Sequence, residues 1–159
     1  MTKLSTLPYS VPDSSEEPGS FAAVRKHDIH CGVDIYLPEG TPVYFLFSGT
    51  IVAVSQFTGK AVGTPWWNDT WAVYVYDASR DSTSVYGEVY PPNLCVGQHV
   101  ESGALCGHVA KVLRVMKGKP MSMLHFEMYS GLVTDSAEWL LGEAMPNNLL
   151  NPTSVLLSD

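Results

Sequence analysis

From Pro42 onward, apolar residues come in short runs cut by turn residues: Val43 to Phe47, a Ser48-Gly49 break, Ile51 to Val54, Trp71 to Tyr76 and Ser84 to Val89. The runs are too short for amphipathic helices, and those at 51–54 and 73–76 are rich in β-branched and aromatic side chains, so the pattern predicts strands joined by tight turns. Residues 96–109 alternate and turn at Gly103, which predicts two more short strands, and Met123 to Met128 predicts another. Between strands, residues 55–70 form a long loop with Gly59, Gly63, Pro65, Trp66 and Trp67. One helix is predicted at Asp135 to Gly142, from an acidic first turn, a capping Asp135 or Ser136 and a glycine stop. Residues 1–25 carry Pro8, Pro12, Pro18, Ser14, Ser15, Glu16 and Glu17 with little apolar periodicity, so they read as an extended arm that adds little to the core of a single domain at 26–159. The expectation is a compact, mainly β fold with one short C-terminal helix and no internal repeat.

A length of 159 residues suits one domain with one core, and 45% hydrophobic against 16% charged residues is a folding composition. The formal charge of -7, with only 9 Lys and Arg, argues against nucleic acid or an anionic membrane surface as a partner. No apolar run follows Met1, and no stretch is long enough to span a bilayer, so the chain as it stands predicts a cytoplasmic protein by default. Cys31, Cys95 and Cys106 match no paired metal spacing and are expected as buried small apolar groups rather than a disulfide framework.

Two segments carry residues suited to chemistry. In His30-Cys31-Gly32-Val33-Asp34, an imidazole and a carboxylate, both ligands that suit Zn²⁺, flank a glycine that lets the backbone turn. In Met123-Leu124-His125-Phe126-Glu127, strand alternation puts Met123, His125 and Glu127 on one face. Taken singly, such histidines are more often structural than ligands.

The two segments stand in register with further motifs. His30-Cys-Gly-Val-Asp34 leads into Gly40-Thr41-Pro42-Val43 and the strand at 48–52; Gly97-Gln-His-Val100 and Gly103 follow; then come Met123-Leu-His-Phe-Glu127 and Asn151-Pro152. This series, over about four fifths of the chain, resembles the lysostaphin-type zinc endopeptidase family. The resemblance implies a compact antiparallel β-sheet or sandwich domain, the duplicated hybrid motif fold. It also implies one Zn²⁺ held by His30, Asp34 and His125, with a fourth position open for water, and peptide or peptidoglycan-like substrates.

The sequence leaves the family's pattern at two catalytic histidines. The histidine opening the closing motif is Met123 here, and the one following Tyr-x on an inner strand corresponds to Glu88, after Tyr86-Gly87. A thioether cannot take a proton from water. Two expectations follow: a hydrolase with a rearranged proton relay, in which Glu88 is the base, or a zinc-containing peptide- or glycan-binding module that does not cut. His27, Tyr86, Met123 and the aromatic pair Trp66 and Trp67 are the candidate substrate contacts, the two tryptophans being expected alternatively to close over the end of the sheet. His99 and His108 are expected at the surface, and Cys31 buried and inert.

Overall fold

The structure, a computed structural model, describes residues 3–14 and 16–157; positions 1, 2 and 15 of the predicted arm, and 158 and 159 at the end of the predicted domain, lie outside the described residues. In chain order the strands are β1 (Val33–Tyr36), β2 (Pro42–Tyr44), β3 (Gly49–Thr58), β4 (Thr70–Asp77), β5 (Ser82–Val89), β6 (His99–Val100), β7 (Leu105–His108), β8 (Met123–Ser130) and β9 (Leu149–Leu150). A 3₁₀ turn spans Lys60–Val62, and the helix α1 spans Thr153–Leu157. The main antiparallel sheet has the order β1-β8-β5-β4-β3-β6, with β9 also paired to β8; β2 and β7 form a second, two-stranded sheet. This is the mainly β architecture that the short apolar runs predict. No helix among the described residues is long and apolar enough to cross a membrane.

Alternation sorts each central strand onto two faces. Val33 and Ile35 of β1, Val73 and Val75 of β4, Tyr86 and Val89 of β5, and Leu124 and Phe126 of β8 share the main core with Val43, Phe45 and Ile51. The opposite face carries a smaller cluster of Cys31, Ala72, Tyr74, Val85, Tyr129 and Leu149, and on this face lie Asp34, His125 and Glu127. Period-2 burial therefore stabilises the sheet on one side and aims its polar residues into a cleft on the other.

Four features differ from the sequence pattern. The strand predicted at 51–54 continues to Thr58, because β4 pairs with it along that length, which shortens the loop before Thr70. No helix forms at Asp135 to Gly142; the one short α-helix among the described residues lies further on, at Thr153–Leu157. The reason is tertiary: the Ala137 amide donates to the Tyr129 hydroxyl at 2.8 Å and the Trp139 carbonyl accepts from the Ile29 amide at 2.8 Å, so these backbone groups are used outside any helical ladder. The N-terminal lead-in also contributes more than its composition suggests: Leu4 is fully buried in the main core, and its carbonyl accepts from the Tyr44 amide at 2.8 Å. All three cysteines are free; Cys31 and Cys106 are buried as expected, whereas Cys95 is exposed.

Candidate functional site

Asp34 and His125 are opposite one another in the β1–β8 register, and His30 sits on the turn just before β1. That turn requires glycine at position 32, since a Cβ there would lie 2.6 Å from the Phe126 carbonyl oxygen and 2.9 Å from the His125 ring. The result is a compact triangle: Asp34 Oδ1 is 2.8 Å from His125 Nδ1 and 3.3 Å from His30 Nε2, and the two ring nitrogens are 3.2 Å apart. Ligand bonds of about 2.0–2.1 Å at tetrahedral angles give edges of about 3.3 Å, so three donors at these separations can face one zinc-sized ion. Of the described residues, His30, Asp34 and His125 form the group able to hold a metal ion, and all three are buried.

Each donor is oriented from behind. His30 Nδ1 is 2.9 Å from the Ser20 carbonyl, which as an acceptor places the proton on Nδ1 and leaves Nε2 facing the triangle. His125 is reversed: its Nε2 lies 2.6 Å from Glu127 Oε2, leaving Nδ1 for the triangle. The Glu127 carboxylate is fixed in turn by the Tyr129 hydroxyl, which donates to Oε1 at 2.7 Å. Arg25 Nη2 donates to Asp34 Oδ2 at 3.3 Å, so the other oxygen, Oδ1, points at the histidines. Phe57 packs on the His125 ring with centroids 5.3 Å apart, an approach that depends on Gly87, where a Cβ would meet the Phe57 ring at 3.3 Å.

The electrostatics follow from this packing. Burial disfavours the Asp34 charge, but hydrogen bonds from His125 and His30 outweigh it and hold the carboxyl well below the usual carboxylate range. Burial likewise opposes protonation of His125, yet Asp34 and Glu127 together raise its pKa well above the ordinary value. Glu127 is lowered because its bond to His125 overcomes its own burial.

Glu88 is the unusual member. The β4–β5 register shifts between Trp71↔Val89 and Ala72↔Gly87, so Glu88 is the extra residue of a β-bulge, and its φ is +64°. Unbroken alternation would put Glu88 on the core face with Tyr86; the bulge returns Val89 to the core and turns Glu88 toward the cleft. Its Oε2 is buried and has no hydrogen-bond partner among the described residues. Burial first, and the Asp34 charge second, push its carboxyl up to about 8. Glu88 stands outside the compact ligand group but lines the same cleft of about 400 Å³ as His30, Asp34 and His125.

The sequence profile of peptidase family M23 matches residues 28–136, more than half of the chain. The chain belongs to this family. No curated protein sequence matches it significantly. Among solved structures, it is similar to the antimicrobial peptidase lysostaphin from Staphylococcus simulans, with a TM-score of 0.64 and 18% identity over 98% of this chain and 53% of that one. The chain thus spans about half the length of lysostaphin. It is also similar to a catalytic-domain mutant of the prophage-encoded M23 protein EnpA from Enterococcus faecalis (TM-score 0.59, 18% identity, 95% of this chain and 94% of that one). A zinc-containing peptidase from Vibrio cholerae matches with a TM-score of 0.54 and 17% identity over 99% of this chain and 40% of that one. At these identities the structural matches establish the fold, and the chain is a peptidase-like domain of family M23.

Within this M23 fold, the residues singled out from sequence divide into two groups. His30, Asp34, His125 and Glu88 converge on one cleft, and Trp67 lines it. Met123 lines an adjoining depression of about 510 Å³ that shares Arg25, Asp34, Trp67 and Glu88 with the first. Tyr86 is elsewhere: it is fully buried on the core face, where its hydroxyl accepts from the Leu46 amide at 3.0 Å, so it cannot touch a ligand in the cleft. His27 is exposed and outside the lining of either depression, although its neighbours Lys26 and Asp28 each line one of them. Trp66 is 60% exposed and packs its edge on Trp67 rather than on the cleft. His99 and His108 are at the surface, and burial pushes the Cys31 thiol up to about 11. Sequence reasoning overlooked Arg25 as the residue orienting Asp34. It also passed over Glu127 as the partner of His125, although the i, i+2 strand spacing carried that signal.

Proposed function

We propose that this chain is a zinc-dependent hydrolase of peptide amide bonds of the peptidoglycan type, with an altered proton relay in which Glu88 replaces a histidine as the base. The observation that carries the reading is the buried, unpartnered Glu88 Oε2, delivered to the ligand face by a strained bulge. Such an arrangement costs free energy and is characteristic of a working site. The donor set fits zinc: two imidazole nitrogens and one carboxylate oxygen at tetrahedral-edge separations, each held by a second partner. When bound there, zinc supplies Lewis acidity toward a water and a scissile carbonyl.

The chain's own residues then have distinct tasks. Glu88 takes a proton at Oε2, its ionised form being favoured once the facing ligands carry a cation. Arg25 keeps Asp34 Oδ1 turned inward, Glu127 accepts from Nε2 of His125 so that Nδ1 is the nitrogen turned to the metal, and Phe57 covers the His125 ring. Trp67 forms a wall against which a peptide can lie. Hydrolysis of a glycine-rich or peptidoglycan-derived peptide, abolished by a chelator, tests the reading; a purified, metal-loaded protein inactive on all such peptides contradicts it.

A second reading keeps the metal and omits turnover. Its support is Met123, which lies on the cleft side of β8 and offers no acid–base group at the place where the family resemblance puts a histidine. Activity gained only on Met123→His would favour this binding module.

A further inference from the structure

The charge of this protein is unevenly placed. In a chain of net -7, four of the nine Lys and Arg fall at 111–119, and no Asp or Glu occurs between Glu101 and Glu127. The fold gives this segment a position. Val112 and Leu113 donate to the Met121 carbonyl at 2.8 and 3.2 Å, closing a protruding loop, and the Asn68 amide donates to the Val112 carbonyl at 2.9 Å, anchoring it beside Trp67. Lys119 and Lys26, both exposed, line the 510 Å³ depression together with the apolar side chains of Tyr36, Trp67, Leu113 and Met123. Arg25, on the same wall, is already paired with Asp34. Neither Lys26 nor Lys119 has an ion-pair partner among the described residues. Two unpaired ammonium groups over an aromatic and thioether floor, continuous with the cleft, form a receptor for a group that is apolar along its body and anionic at its end.

We propose that this depression is a substrate subsite for a peptide that bears a carboxylate near the scissile amide, held by Lys26 and Lys119. The subsite sits next to Glu88 and Asp34, so the carboxylate is taken at the outer rim, where the lysines lie, and the peptide backbone runs inward past Trp67. An uncharged glycine-only peptide leaves both lysines without a partner. The idea rests on the hydrolase reading for the word substrate, but the recognition it describes is a binding event and can be measured separately.

The test uses the Glu88→Gln protein, so that cutting does not obscure binding, and two capped pentapeptides, Ala-Ala-Glu-Ala-Ala and Ala-Ala-Gln-Ala-Ala, followed by tryptophan fluorescence. The glutamate peptide should bind about tenfold more tightly at low salt, as expected for two partly exposed charge pairs, and the preference should shrink at high salt. Lys26→Ala with Lys119→Ala should abolish the preference, and Lys119→Glu should reverse it; both lysines are exposed, so folding is not at stake. Equal affinity for the two peptides, no binding of either, or a preference that survives both lysine replacements overturns the subsite. Cleavage by the wild type without any charge preference also overturns it while leaving the hydrolase reading intact. A lysine-dependent preference in a protein that cuts nothing upholds the subsite and removes the hydrolase reading.

Discussion

Asp34 and His125 are direct partners across the β1–β8 pair, and their side chains meet at 2.8 Å between Oδ1 and Nδ1. The pairing is set by burial elsewhere: Val33 and Ile35 on one side of Asp34, and Leu124 and Phe126 around His125, are all fully buried on the opposite face. A slip of one residue would turn Asp34 into the core and Val33 or Ile35 into the cleft, so the hydrophobic pattern that stabilises the sheet also fixes the candidate ligands.

From this triangle, the purified protein should carry about one zinc per chain, and His30→Ala, Asp34→Ala and His125→Ala should each remove it. Elemental analysis after dialysis decides this. Full occupancy in the His125→Ala protein would remove the assignment.

Glu127 touches no candidate metal position, but it holds Nε2 of His125 at 2.6 Å. Glu127→Gln should therefore weaken zinc binding by about ten- to a hundredfold with the fold retained, as measured by competition with a chromophoric chelator. Unchanged affinity would show that the His125 ring is oriented by packing alone.

In the metal-free protein, the Glu88 carboxyl is pushed up to about 8 from its ordinary 4.5 by burial and by Asp34. A raised folded-state pKa means that the folded protein binds the proton more tightly than the unfolded chain. The stability contribution is therefore complete below about pH 4.5 and is lost as pH rises through about 8. His125, also raised, acts in the same direction in the wild type and in Glu88→Gln. With chelator present, the melting temperature should fall more steeply between pH 5 and pH 8.5 in the wild type than in Glu88→Gln, on the window set by those values. Parallel pH profiles would place Glu88 in a wetter setting than the one described.

Leu4 anchors the N-terminal lead-in and is fully buried. Leu4→Ala should lower stability by about 2–5 kcal/mol in urea denaturation. A loss under about 0.5 kcal/mol, the size of a surface substitution, would mean that the lead-in is not part of the cooperative unit.

The strands were legible in the sequence because one-sided burial imposes period 2, and β4, β5 and β8 appear where the runs at 71–76, 84–89 and 123–128 put them. His30, Asp34 and His125 were legible only together, through the register of the family motifs. Glu88 was legible through that register but not through alternation: counting from Tyr86 puts it on the core face, and only the bulge opposite Trp71 and Ala72 brings it to the cleft. The helix expected at 135–142 had good local signals that lost to two tertiary hydrogen bonds, from the Ala137 amide to the Tyr129 hydroxyl and from the Ile29 amide to the Trp139 carbonyl, which no helical pattern records. Tyr86 and His27 were misplaced because nearness in sequence to a site residue does not fix direction.

Whether Glu88 moves the proton in a metal-dependent hydrolysis is decided by the rate of peptide cleavage in Glu88→Gln at measured zinc content. The wild type should show chelator-sensitive cleavage, and the rate should fall by about a hundredfold or more in Glu88→Gln with zinc fully retained. A Glu88→Gln protein that cuts as fast as the wild type, or a wild type that cuts only after Met123→His, would contradict it.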